Sequence, residues 1–246
     1  MLERNAAERI HRVEEATTNW YLVEGGATVT IVDAGFPRSW ASLERALGEV
    51  GRSLGDIEAV VLTHGHFDHV GFARRARQDL GVALLVHEHE VGVAAHPWRY
   101  EHERSRLPYL RNGAFLKILG QMISMGALNT RGIESARTYR AGERLDVPGR
   151  PQAIFTPGHT NGHCSLFFPD RGALIAGDAL VMLDPYTGRH GPCIVAGAAT
   201  ADSQQALSSL EALAELDADT VLTGHGPPWH GSTREAIERA RAAGAA

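Results

Sequence analysis

The run Thr63-His64-Gly65-His66-Phe67-Asp68-His69 constrains this chain more than any other feature. It places three imidazoles and a carboxylate within six residues, directly after the apolar segment Ala59-Val60-Val61-Leu62. A short, fully apolar segment of that kind reads as a buried strand. Side chains alternate between faces along a strand, whereas those of a loop leaving its end can converge on one point. Imidazole suits zinc and similar borderline metals, and a carboxylate adds compensating charge. Gly65 is expected to let the backbone bend between the first two ligands. The competing reading is a solvated histidine-rich loop.

Three later segments each put a potential ligand beside glycine at a strand end. Thr156-Pro157-Gly158-His159-Thr160 follows a strand at 153–155, Gly177-Asp178 follows Leu174-Ile175-Ala176, and Gly224-His225-Gly226 follows Val221-Leu222-Thr223. Singly, each is more often a turn or core residue than a ligand. Together they add two imidazoles and a carboxylate at equivalent positions of successive strands, which would gather at one sheet edge. Seven ligand groups are too many for one four-coordinate zinc and suit two metals sharing a bridge.

The remaining chain alternates strands with helices, which points to an α/β layered fold. Trp20-Tyr21-Leu22-Val23 and Thr28-Val29-Thr30-Ile31-Val32 flank Gly25-Gly26 as a hairpin signal. Ser39 is expected to cap a helix running to about residue 50, a second helix covers about 72–80, and a strand follows at 82–86. Residues from about 88 to 142 break the rhythm and read as a helical insert. There Phe115, Ile118, Leu119, Met122 and Ile123 recur at helical spacing. Strand signals occur at 137–140, 152–155, 164–168 and 173–176. An amphipathic helix is expected at about 202–216, a strand at 220–222, and Ser232-Thr233-Arg234-Glu235 forms a capping box for a terminal helix.

With 246 residues, 43% hydrophobic and 22% charged, one domain over 1–246 with a substantial core is expected. A net charge of −5 argues against nucleic-acid or anionic-membrane partners, which require a basic field. No run is long enough to span a bilayer, and no charged-then-apolar leader opens the chain. Cys164 and Cys193 are the only cysteines, which excludes a disulfide framework and gives a cytoplasmic expectation. Cys164 reads as a small buried hydrophobe.

The pattern His64-x-His66-x-Asp68-His69, followed in order by His159, Asp178 and His225, resembles the metallo-β-lactamase-fold hydrolases, in their hydroxyacylglutathione hydrolase and lactonase-like branch. The resemblance covers nearly the whole chain, including Asn19-Trp20-Tyr21-Leu22-Val23, Ile31-Val32-Asp33-Ala34-Gly35 and Pro157-Gly158-His159-Thr160-Asn161-Gly162-His163. It implies an αββα sandwich with the metals at one edge of two sheets. By the same resemblance His64, His66 and His159 hold a first metal, Asp68, His69 and His225 a second, and Asp178 bridges them. Asp33 would support the ligand loop from behind; its alternative is a strand-terminal turn cap.

Such a site holds hydroxide at neutral pH between two cations, attacks an ester, thioester or lactone carbonyl, and stabilises the oxyanion. Asp68 is the catalytic candidate, orienting the nucleophile and shuttling its proton. Two divalent ions are expected, zinc first, with manganese, iron or cobalt as alternatives for an all-N/O site. The rival reading is a metal-binding or ligand-sensing protein of the same fold without turnover; a β-lactamase-like amide hydrolase is a further alternative.

Departures from known branches narrow the choice. The chain ends about twenty residues after His225, without the basic extension that hydroxyacylglutathione hydrolases carry. Val181 stands where lactonases have tyrosine, and His66 is intact where redox members have glutamate. The insert then becomes the specificity element, with Phe115 and Met122 as substrate contacts; a lid, a homodimer contact and plain core are its three readings. His163 and His190 are further candidates near the site, while His87, His89, His96, His102 and His230 read as surface or structural. The expected partner is a small-molecule substrate with an apolar part.

Overall fold

The computed structural model describes all residues, 1–246. A first sheet of seven strands forms in chain order: β1 (Leu2–Ala7), β2 (Ile10–Glu15), β3 (Thr18–Gly25), β4 (Thr28–Val32), β5 (Ile57–Val61), β6 (Ala83–His87) and β7 (Arg137–Tyr139). β1 to β4 run antiparallel, and β4 to β7 are parallel. Parallel neighbours need long crossovers. These carry α1 (Trp40–Glu49), then α2 (Ala73–Leu80), then the insert with α3 (Val91–Ala95) and α4 (Gly113–Ser124).

The second half supplies β8 (Gln152–Phe155), β9 (Cys164–Phe168) and β10 (Ala173–Gly177), then a separate hairpin of β11 (Val181–Leu183) and β12 (His190–Cys193). After α5 (Ser203–Ser209) and α6 (Glu211–Ala214) come β13 (Thr220–Thr223), β14 (Trp229–His230) and α7 (Thr233–Ala243). The second sheet has the order β14-β13-β10-β9-β8.

Period-two alternation assigns each face. On β3, Tyr21 and Val23 join Cys164, Leu166, Phe168, Ile175 and Leu222 in a core between the sheets. Trp20 and Leu22 point the other way, into a second core with Trp40, Leu43, Leu47 and Phe72 of the α1–α2 layer. Leu174 and Val221 face a third core with Leu210, Leu213 and Ile237. Three cores separate four layers, and the fold is the αββα sandwich of the metallo-β-lactamase type.

Several local expectations are corrected. Residues 137–139 pair with β6, so the insert ends before β7 and not at 142. The helix expected at 202–216 is broken at Leu210, where the Ser209 hydroxyl donates to the Ala206 carbonyl and competes with the helical ladder. Neither Ser39 nor Ser232 makes a side-chain cap. The Ser39 hydroxyl instead accepts from the Phe36 amide. Gly65 has no left-handed backbone; it is needed because a Cβ there would lie 2.5 Å from the Ala94 amide nitrogen of α3.

Candidate metal centre

Four strand ends deliver the ligands to one edge of the sandwich. β5 leads into Thr63–His69, β8 into His159, β10 directly into Asp178, and β13 into His225. All seven side chains are buried. Their donor atoms form three overlapping groups: His64, His66 and His159; His64, His69 and Asp178; Asp68, His69 and His225. Within each, the donor atoms lie within 4.8 Å of one another. Asp178 stands between the outer groups, with Oδ2 3.4 Å from His159 Nε2 and 3.3 Å from His225 Nε2, and Oδ1 3.5 Å from His69 Nε2. That closeness demands glycine across from it: a Cβ on Gly224 would sit 1.8 Å from Asp178 Oδ1.

Hydrogen bonds behind the ring fix the imidazole tautomers. His69 Nδ1 donates to Asp33 Oδ2 at 3.0 Å, and His225 Nδ1 to the Thr17 carbonyl at 3.1 Å. The Thr63 hydroxyl donates to Asp33, leaving its oxygen to accept from His64 Nδ1 at 3.0 Å. Thr200 donates to the Val195 carbonyl and accepts from His159 Nδ1 at 3.3 Å. In the neutral tautomer that these bonds select, all four turn the Nε2 lone pair toward the cluster.

Protonation follows from burial and neighbours. Burial pushes His64 and His66 well below the usual imidazole range, reinforced by adjacent imidazoles. It pushes His159 down to about 4 against the pull of Asp178. At His69 burial is overcome by Asp178, Asp68 and Asp33, which hold it up to about 10. Asp178 stays well below the carboxylate range, because His225 and His69 outweigh its desolvation. The carboxylates thus retain positive charge at the His69 end, the charge that a bound cation supplies instead.

The donor set fits divalent metal. His64 Nε2, His66 Nε2, His69 Nε2 and Asp178 Oδ1 are buried without any hydrogen-bond partner. Buried polar atoms normally find partners, and the orphaned His64 Nε2, His69 Nε2 and Asp178 Oδ1, which belong to one close donor group, are the expected mark of a cation site.

Comparison with known proteins agrees. The metallo-beta-lactamase superfamily profile matches residues 13–225. The chain belongs to the metallo-beta-lactamase superfamily. A Bacillus subtilis relative described as probable metallo-hydrolase YflN is 29% identical, covering 92% of this chain and 87% of that protein. A hydroxyacylglutathione hydrolase of Synechococcus is 30% identical over 68% of this chain but only 49% of its own length. Among solved superfamily structures, a metallo-beta-lactamase family protein from Thermus thermophilus superposes with a TM-score of 0.63 at 27% identity, covering 90% of this chain and 72% of that one. A Cronobacter sakazakii metallo-beta-lactamase reaches a TM-score of 0.68 over 97% of this chain and 90% of its own at 17% identity, which shows the fold alone.

Like the candidate ligands, most other candidate residues are brought to the site. Asp33 holds His69 and Thr63, and its left-handed φ of 60° also makes it the strand-terminal turn residue. His163 Nε2 accepts from the Asp178 amide at 3.0 Å, while its Nδ1 pairs with Thr156 Oγ1. Phe115 and Met122 line a cavity of about 240 Å³ whose floor includes His66, Asp68, His159, Asp178 and His225. The insert supplies much of the remaining lining, and Ile118 and Leu119 share that face of α4. Ile123 leaves the stripe and is 43% exposed.

His190 is not brought to the site. It is exposed on β12, opposite Leu183, and lies outside the cavity. The free cysteines are buried, and burial pushes both thiols up to about 12.

Sequence reasoning missed several residues. Glu90 is fully buried, and its carboxylate accepts from the Gly65 and Gly162 amides at 2.8 Å each, joining two ligand loops. Tyr100 packs on His66 with ring centroids 3.8 Å apart, and Tyr186 stacks on Phe115 at 5.0 Å. Thr18 donates to Asp68 Oδ2 at 3.3 Å. Only the aromatic richness of the insert signalled any of these in the sequence.

Proposed function

We propose that the chain is a dinuclear metal-dependent hydrolase of esters, thioesters or lactones bearing an apolar part. The observation that carries the reading is a buried seven-ligand cluster at the floor of a mainly apolar cavity. His64, His66 and His159 would hold one ion, Asp68, His69 and His225 the other, with Asp178 shared; zinc is the first expectation. Bound there, the metals supply Lewis acidity and a water acidic enough to serve as nucleophile near neutral pH.

The chain's own groups do the rest. Asp68 borders the cavity, with Oδ2 3.5 Å from His225 Nε2 and steadied by the Thr18 hydroxyl. Its carboxylate takes the proton of the attacking water and returns it to the leaving group. Phe115, Met122 and Tyr186 exclude solvent and bind the apolar part of the substrate. The resemblance to hydroxyacylglutathione hydrolases supports including thioesters among the substrates.

The test is turnover by metal-loaded protein across esters, thioesters, lactones, β-lactams and phosphodiesters, together with Asp68→Asn. Asparagine keeps an oxygen but cannot carry the proton, so turnover is expected to fall by about two decades or more with metal partly retained. Wild-type turnover in fully loaded Asp68→Asn protein would make Asp68 a ligand only. No turnover of any substrate by loaded wild-type protein would favour a binding or sensing role.

A further inference from the structure

Away from the ligands, the cavity wall contains a single basic side chain. Eleven of its 18 lining residues are hydrophobic, and Arg106 is the only lysine or arginine among them. Arg106 forms no ion pair; its one hydrogen bond runs from Nε to the Ala198 carbonyl at 3.2 Å. Nη1 and Nη2 remain free to donate. The guanidinium carbon lies 4.7 Å over the Tyr100 ring, and that same ring is 3.8 Å from the His66 ring. Tyr100 therefore connects the free cation to the metal cluster, and the two ends of the cavity differ in chemistry along one wall.

We propose that Arg106 is an anion subsite: the substrate carries a carboxylate, separated by a short apolar spacer from the carbonyl that is hydrolysed. This rests on the hydrolase reading above and narrows its substrate class. A guanidinium presents paired N–H donors matched to carboxylate geometry. Apolar walls on either side lower the local dielectric and strengthen that pairing. A neutral substrate forgoes this pairing and leaves the half-buried guanidinium to water, so the site favours the carboxylate. The Tyr100 face keeps the guanidinium in place and reduces the ordering cost of binding.

Isosteric ester pairs test the assignment, with the charge on either side of the scissile bond. One pair is monophenyl glutarate against phenyl glutaramate, and the other 4-acetoxybenzoate against 4-acetoxybenzamide. Metal-loaded wild-type protein is expected to prefer the carboxylate in at least one pair by about ten- to a hundredfold in kcat/KM, mainly through KM. Arg106→Met should bring that ratio to near one, and Arg106→Lys should restore part of it. Equal losses on charged and neutral partners would make Arg106 a structural residue and overturn the subsite. So would the absence of preference in wild-type protein, a result that needs no folded variant, or a wild-type preference that survives in Arg106→Met, which would assign it to the metals.

Calorimetric binding of 3-phenylpropane-1-sulfonate against 3-phenylpropan-1-ol separates the two readings. Arg106-dependent preference for the sulfonate without turnover of any ester keeps the subsite and defeats the hydrolase. Ester turnover without charge preference does the reverse.

Discussion

Glu90→Gln tests how the ligand loops are held in register. Each Glu90 oxygen accepts one amide, from Gly65 between His64 and His66, and from Gly162 three residues beyond His159. Glutamine keeps one acceptor but turns an NH2 toward the other amide, so two donors face each other in a fully buried space. Hydrogen bonds to a charged acceptor contribute about 1.5–3 kcal/mol each, and a buried unsatisfied donor costs about 1–3 kcal/mol. Burial already raises the Glu90 pKa, so part of that gain offsets desolvation in the wild type. The net loss is therefore put at about 2–4 kcal/mol. For a chain of this size that lowers Tm by about 5–15 °C. Both loops carry ligands, so metal affinity should fall by about 10–100-fold. Thermal melts and chelator competition read the two effects, with exposed Glu88→Gln as control, expected within about 0.5 kcal/mol of wild type. A Glu90→Gln protein melting within about 1 °C of wild type with unchanged metal affinity would refute the clamp.

Trimming Met122 or Phe115 to alanine should weaken kcat/KM for long-chain esters about ten- to a hundredfold more than for acetate esters. An unchanged chain-length ranking in folded, metal-loaded variants would remove these side chains from the substrate wall. His163 gives a pH-dependent prediction: burial and the adjacent His159 push its imidazole down to about 3, so it stays neutral in the fold. The unfolded chain takes up that proton near pH 6.5, so stability is lost as pH falls from about 6.5 toward 3, by about 1.4 kcal/mol per pH unit for this group. His163→Gln keeps an acceptor for the Asp178 amide and should remove that share of the slope in chelator-treated protein. An identical pH slope in denaturant titrations would contradict the buried neutral assignment.

The clustering of the candidate ligands was legible because each stands where an apolar strand ends, and strand ends are what local pattern reveals best. His64 after Leu62, Asp178 after Gly177 and His225 after Gly224 needed no knowledge of topology. Asp33 was legible for the same reason, as the residue closing β4. The residues that hold or face the ligands were not. Glu90 reaches Gly162 and Arg106 reaches Ala198 across 72 and 92 residues of sequence, contacts that no local period records. In the fold, β1 and β2 escaped notice because edge strand β1 exposes Arg4 and Asn5, and β2 buries His11 and Arg12 where a core strand would carry hydrophobes. β7 was legible as the strand signal at 137–140, although the helical insert was drawn across it to 142. The break at Leu210 leaves that residue in right-handed helical dihedrals, so the apolar spacing runs across it unchanged.

Elemental analysis of fully loaded wild-type protein, counted per chain, bears most directly on the proposal of a dinuclear site. Asp178 stands between the outer donor groups, with Oδ2 close to both His159 and His225 and Oδ1 close to His69, so two ions per chain are predicted, with occupancy of both reduced in Asp178→Ala. No more than one ion per chain in the saturated wild-type protein would contradict the account.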